Sequence, residues 1–217
     1  MQKLIKRMGR RWKIATAVAG CALFAYVLAL PDEIFDEPYS TVLKARDGAL
    51  LSASIAPDGQ WRFPENPVVP EKFAEALITF EDQRFYWHPG VDPIALGRAL
   101  IQNIKEGETV SGGSTITMQV IRLSRKPSSR SLFQKCLEML LATRLEWSYS
   151  KEEILALYSA HAPFGGNVVG LDAACWRYFG RSPQNLSWAE AALLAVLPNA
   201  PSLIHPGKNR TLLKRKR

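Results

Sequence analysis

The sequence predicts a mainly α-helical body, preceded by a transmembrane helix and a small N-terminal β meander. Three observations predict it. The run from Ile14 to Leu30 carries no charge and approaches the ~20 apolar residues that span a bilayer as a helix. Residues 39–63 alternate apolar and polar side chains between Asp-Gly turn pairs, the period of half-buried strands. After Pro70 the apolar residues recur three and four apart, between helix start and stop signals.

Each element has its own warrant. Lys3, Lys6, Arg7, Arg10, Arg11 and Lys13 precede the uncharged run, and Asp32, Glu33, Asp36 and Glu37 follow it. The positive-inside rule then puts the N-terminus in the cytoplasm and the rest outside. A cleaved signal peptide is the rival reading, but the small-residue pairs Ala15/Ala17 and Ala17/Ala19 lie inside the apolar run. Asp47-Gly48 and Asp58-Gly59 mark the turns of the meander. A helix follows Pro70, with Phe73, Ala76, Leu77 and Phe80 on one face. Asp92-Pro93 is an N-cap with proline at the first helical position, opening a helix to about Lys105. Gly112-Gly113-Ser114 leads into the next helix with Ser114 as N-cap, and a further helix runs from Ser131 to Trp147. Capping boxes at Ser150–Glu153 and Ser187–Glu190 start two more, the last stopped by Pro198. The expected division is a cytoplasmic basic tail (1–13), a transmembrane helix (14–30), a juxtamembrane meander and linker (31–70), a catalytic domain (71–207) and a basic C-terminal end (208–217).

Composition excludes several functions. The net charge of +8 is concentrated at the two ends, and the body between them is net acidic, so a basic nucleic-acid-binding body is excluded. Cys21, Cys136 and Cys175 are scattered, as are His88, His161 and His205. Neither a disulfide framework nor a His/Cys metal cage follows from such spacing.

The candidate site residues come from direction and charge. On a helical wheel stepped at about 100° per residue from Phe80, Glu81 falls near 100°, inside the apolar arc, and Asp82 near 200°, on the wet side. A carboxylate aimed at apolar surroundings is costly unless paired. Glu81 is therefore either a general base tuned by burial or the partner of a buried arginine. Asp82 reads as a surface or capping acid. In "GGSTITMQVIRL", Thr115, Gln119 and Arg122 form a polar stripe beside the apolar stripe Ile116, Val120 and Leu123, and the glycine-led helix start offers backbone N–H groups to an anion. The same segment is also a common loop-to-helix junction. From Thr109 to Leu137 there is no acid, while Arg122, Arg125, Lys126, Arg130 and Lys135 are present; this is an anion site or a solvated charge run. The helix 131–147 reads as mostly buried, with Gln134, Lys135, Glu138 and Glu146 on a narrow polar strip. Glu138 lies three residues from Lys135, close enough to interact. Arg144, on the apolar side, is expected to pair with a buried acid.

Taken together, "EDQRFYWHPG", "GGSTITMQ", "QKCLE", "EILALYSAHAPFGG" and "LSWAEAALLAVLPNAPS" resemble, in order and spacing, the five motifs of glycosyltransferase family 51. This is the peptidoglycan polymerase module of class A penicillin-binding proteins and monofunctional transglycosylases. The resemblance covers roughly residues 39–207, and the segment from Tyr39 to Pro64 is most similar to the 1C type. It implies a lysozyme-like helical fold, lipid II and the growing glycan strand as substrates, and an active site on the outer face of the bacterial inner membrane. It implies Glu81 as the base for the acceptor 4-hydroxyl and Glu138 as the second acid. Arg122, Arg130 and Lys135 become holders of the donor pyrophosphate, and Ser114, Thr115 and Gln119 the polar lining. No metal ligand is implied, a divalent cation being at most an assistant, and other cell-wall synthesis proteins are candidate partners.

Three positions depart from the family pattern: Met118 for Gln, Gln134 for Arg, and Ala160 for Asn. With both acids retained the expectation is an active enzyme with a less complete grip on its donor. The final "LLKRKR" falls where relatives continue toward a transpeptidase domain. Two competing readings are a lysozyme-like glycan-cleaving enzyme, which needs a protonating acid and has no use for an anion cradle, and a degenerate, non-catalytic membrane-anchored cell-wall module.

Overall fold

The computed structural model describes residues 12–107, 112–128 and 131–199, with helical backbone over 2–11. It divides into two compact units, Met1–Ile34 and Phe35–Arg217. The expected basic end, 208–217, lies outside the described residues.

The first unit is the helix α1 (Gln2–Val27). Among the described residues, no helix is long and apolar enough to cross a membrane. The transmembrane helix expected over 14–30 is corrected accordingly. The chain leaves the helix after Val27, where the Ala29 N–H turns back to the Tyr26 carbonyl at 3.3 Å. At the other end, extension to Gln2 adds lysines and arginines. The uncharged helical part, Ile14 to Val27, rises only about 20 Å, short of the ~30 Å hydrocarbon layer.

The second unit begins with a hairpin. β1 (Val42–Lys44) pairs antiparallel with β2 (Leu50–Ala53). The Asp47-Gly48 turn closes it, with Gly48 at φ 84° and the Asp47 carboxylate accepting from the Ala49 N–H at 3.0 Å. The third strand departs from the expected meander. β3 (Trp61–Arg62) does not pair with β2. It runs parallel to β5 (Val168–Val169), which pairs antiparallel with β4 (Pro163–Gly165). The Asp58-Gly59 turn closes on itself, with the Ala56 N–H donating to the Gln60 carbonyl at 2.9 Å. Local alternation predicts that a strand exists; its partner comes from residues a hundred positions away.

Seven helices follow: α2 (Glu71–Glu81), α3 (Pro93–Glu106), α4 (Ile116–Arg125), α5 (Leu132–Glu146), α6 (Lys151–His161), α7 (Leu171–Phe179) and α8 (Trp188–Val196). The caps at Asp92, Ser150 and Ser187 form as expected, the last two as complete capping boxes, and Ser131 caps α5. α3 ends one residue beyond Lys105, on Gly107 in the left-handed conformation. α4 is the core helix. Ile116, Thr117, Met118, Val120 and Ile121 are all buried, and it packs on α5 and α6 while α2 packs on α8. Met118 points into that core, fully buried, so an apolar residue there is a packing choice. α5 is less buried than expected, with Leu132 and Phe133 at its start 83% and 72% exposed.

Candidate active site

α2 delivers Glu81 as its last helical residue. The Glu81 carboxylate is half-buried and accepts from the Gln119 side-chain amide at 2.8 Å and, at 3.4 Å, from that of Asn199. Gln119 comes from the polar stripe of α4. One turn further along that stripe, the Arg122 guanidinium lies 3.8 Å from the carboxylate of Glu138, which α5 buries to 5% exposure. A single face of α4 therefore reaches both sequence-predicted acids through residues three apart, which are neighbours on a helix. The ion-pair partner found for Glu138 is Arg122, whereas the sequence pointed to Lys135. Lys135 lies on the same helix, half-buried. Arg130 lies outside the described residues.

Asp82 is not the surface acid that the wheel predicts. It is 6% exposed, and its carboxylate meets the His88 imidazole Nε2 at 3.0 and 3.1 Å and accepts from the Ile116 N–H at 3.0 Å. The wheel fails because the helix ends at Glu81. Asp82 takes φ −157°, so the 100° step no longer describes where it points. The Ile116 N–H is one of the unsatisfied donors at the start of α4. The anion held at this glycine-led helix start is thus the chain's own Asp82.

The cap of α4 is Thr115, in place of the expected Ser114. The buried Thr115 hydroxyl accepts from the Met118 N–H at 3.1 Å and donates to the Gly90 carbonyl at 2.6 Å. Ser114 is half-buried and lines a small cleft of about 110 Å³ together with Glu81, Phe80, Arg84 and Arg98. Arg84 is fixed by Asp92, at 2.9 Å from Nε and 2.7 Å from Nη2. Burial pushes the Asp92 carboxyl up, but the Ala95 N–H, Arg84 and the Ile94 N–H together hold it below the usual carboxylate range. Tyr158 of α6 is a site neighbour that the sequence does not flag. It is fully buried, and desolvation, with the nearby charge of Glu81, pushes its phenol far above the usual range, against a smaller opposing pull from Arg122. Its apolar neighbours at helical spacing give no signal that it lies near the site.

Glu146, on the polar strip of α5, makes structural contacts. Glu146 pairs with Lys151 at 2.7 Å and accepts from the Thr117 hydroxyl at 2.6 Å, while Lys151 also donates to the His88 carbonyl at 2.8 Å. Arg144, expected on a buried acid, donates to the Ser148 hydroxyl. The three cysteines are free thiols. Among the described residues no three His, Cys, Asp or Glu side chains converge as a metal site.

Residues 51–217 match the transglycosylase family. The chain belongs to that family, glycosyltransferase family 51. The transglycosylase module is 47% identical over 168 residues to penicillin-binding protein 1C of Escherichia coli (strain K12), covering 77% of this chain and 22% of that protein. It is 38% identical over 146 residues to penicillin-binding protein 1F of Bacillus subtilis (strain 168), 65% of this chain and 20% of the relative. Against penicillin-binding protein 1A/1B of the same strain it is 33% identical over 205 residues, 92% and 22%. The chain spans about a fifth of the length of these curated relatives.

Proposed function

We propose that the chain is a peptidoglycan glycosyltransferase, joining lipid II units through β-1,4 bonds with release of polyprenyl pyrophosphate. The observation that carries this reading is the shared face of α4: Gln119 on Glu81, and Arg122 beside the buried Glu138. In the reaction, Glu81 takes the proton of the acceptor 4-hydroxyl as that oxygen bonds to the donor anomeric carbon. The bond from that carbon to the pyrophosphate oxygen breaks, and the leaving group departs as the pyrophosphate anion. The Gln119 and Asn199 amides fix the direction of the Glu81 carboxylate, as a general base must be held within reach of the proton it takes. Arg122, Lys135 and Arg130 supply positive charge where the leaving group gathers negative charge. No protonating acid is needed, because a pyrophosphate leaves as an anion.

The substrate's lipid tail brings this chemistry to a bilayer surface, on the outer face of the bacterial inner membrane. Exposed Trp12, Val18, Leu23 and Phe24 on α1 give the chain an apolar, lipid-compatible stretch beside its basic start.

Detergent-solubilised protein incubated with labelled lipid II should give polymer resolved by gel electrophoresis. Glu81→Gln should abolish that polymer while the melting temperature stays unchanged. Polymer from the variant within a few-fold of wild type would remove Glu81 as the base.

A further inference from the structure

The end of α6 carries a titratable group that the proposed reaction does not use. His161 is the last residue of α6 and is 5% exposed. The segment 35–40, which leads from α1 toward the hairpin, packs on it. Phe35 stacks flat on the imidazole, with ring centroids 3.5 Å apart and planes 3° from parallel. Imidazole Nε2 meets Glu65 Oε1 at 2.7 Å, and the same oxygen accepts from the Tyr39 hydroxyl at 2.9 Å. Glu37 Oε2 faces Nδ1 at 3.6 Å, and neither of these buried atoms has a hydrogen-bond partner. Two further contacts hold the segment: Glu37 pairs with Lys126 at 2.7 Å, and the Ser40 N–H donates to the Arg62 carbonyl at 2.7 Å.

These contacts suit a neutral ring. A neutral imidazole has one N–H to place, and Glu65 receives it from Nε2. A charged imidazole has a second N–H, on Nδ1. Glu37 lies beyond hydrogen-bond reach of it, and the atom is shut off from water, where an unpaired polar group is costly. The surrounding charges do not reverse this. Glu65 and Glu37 favour the charged ring, but Lys126 already neutralises Glu37, and Arg62, itself paired with Asp58 at 2.9 Å, opposes a second cation. Desolvation is the largest influence, and it holds the imidazole below its ordinary range.

We propose that His161 is an acid-sensitive latch for the segment 35–40. Neutral, it holds Phe35 flat against the end of α6. When solvent delivers a proton to Nδ1, the new N–H needs a partner, and water reaches it only as Phe35 lifts away. The folded ring titrates below the unfolded value of ~6.5, so the latch is fully closed above that pH and opens as pH falls through the lower folded value. None of its groups is assigned to the polymerase reaction, so the latch stands or falls independently of that reading.

The test uses the full chain in detergent and no substrate. The ring resonances of His161, identified by their loss in His161→Phe, should titrate with a midpoint below ~6.5. Phe35→Ala uncovers the ring and should move that midpoint up toward the ordinary value. Hydrogen exchange over 35–40, corrected for the intrinsic effect of pH, should lose protection about threefold or more between about pH 7.5 and pH 5. His161→Phe keeps an aromatic stack without a titrating group and should show no such loss. Three results overturn the latch: a wild-type midpoint at or above the ordinary value, a midpoint that Phe35→Ala leaves unmoved, or the same pH-dependent loss of protection in wild type and His161→Phe.

Discussion

At the scale of single residues, adjacent acids have opposite fates. Glu81 closes α2 and keeps a half-open carboxylate; Asp82 turns inward and joins His88 to the start of α4. Removing a partner from such a buried pair leaves an uncompensated group, typically costing several kcal/mol, so Asp82 belongs with the fold that aims Glu81. Asp92 offers a pH test. Its folded pKa is lowered. The stability it contributes is therefore complete above its unfolded value of ~3.9 and is lost as pH falls through the lower folded value. Asp92→Asn keeps a capping oxygen but not the charge facing Arg84. In urea melts the variant should be less stable than wild type at about pH 7, and the gap should shrink as pH falls below ~3.9, where the unfolded carboxyl takes up its proton first. A gap independent of pH would show that the charge on Asp92 adds no stability.

At the scale of elements, the site depends on how closely the loop after α2 packs on α4 and α5. Gly90 has φ +90°, and a Cβ there would come within 2.6 Å of the Ala142 carbonyl oxygen. Its own carbonyl receives the Thr115 hydroxyl that caps α4. Gly90→Ala therefore meets backbone it cannot displace and a conformation it does not favour. We expect a loss of roughly 2–4 kcal/mol, read as a fall in melting temperature, with polymerisation falling as well because Gln119 moves with α4. A melting temperature unchanged within error would contradict the close approach. Met118 and Gln119 illustrate the same packing from the other direction. They are consecutive, yet one is fully buried and the other reaches the Glu81 carboxylate.

At the scale of the whole molecule, the division after Ile34 separates α1 from the body that contains both acids. The body carries its own core, from Phe73 and Leu77 of α2 to Leu194 and Val196 of α8. Deleting residues 1–34 should leave a cooperatively melting domain. Its turnover of lipid II dissolved in detergent should remain near that of the full chain. In vesicles it should be slower, because tethering to the lipid surface raises the effective concentration of enzyme and substrate. Equal turnover in vesicles for both forms would show that α1 makes no kinetic contribution.

Local sequence was enough for the helical class of the body, the capped starts of α3, α6 and α8, and the family. These depend on short-range chemistry: apolar spacing, side chains bonding to nearby N–H groups, and residue types in order. Long-range packing settled where β3 pairs, that Asp82 is buried, that Thr115 caps α4 in place of Ser114, and that Arg122 answers Glu138. Each of these depends on what the rest of the chain brings to the spot, or on where a helix stops. A periodic pattern carries no information about which residues will meet it from a distance, and its angles lose meaning one residue beyond the helix end.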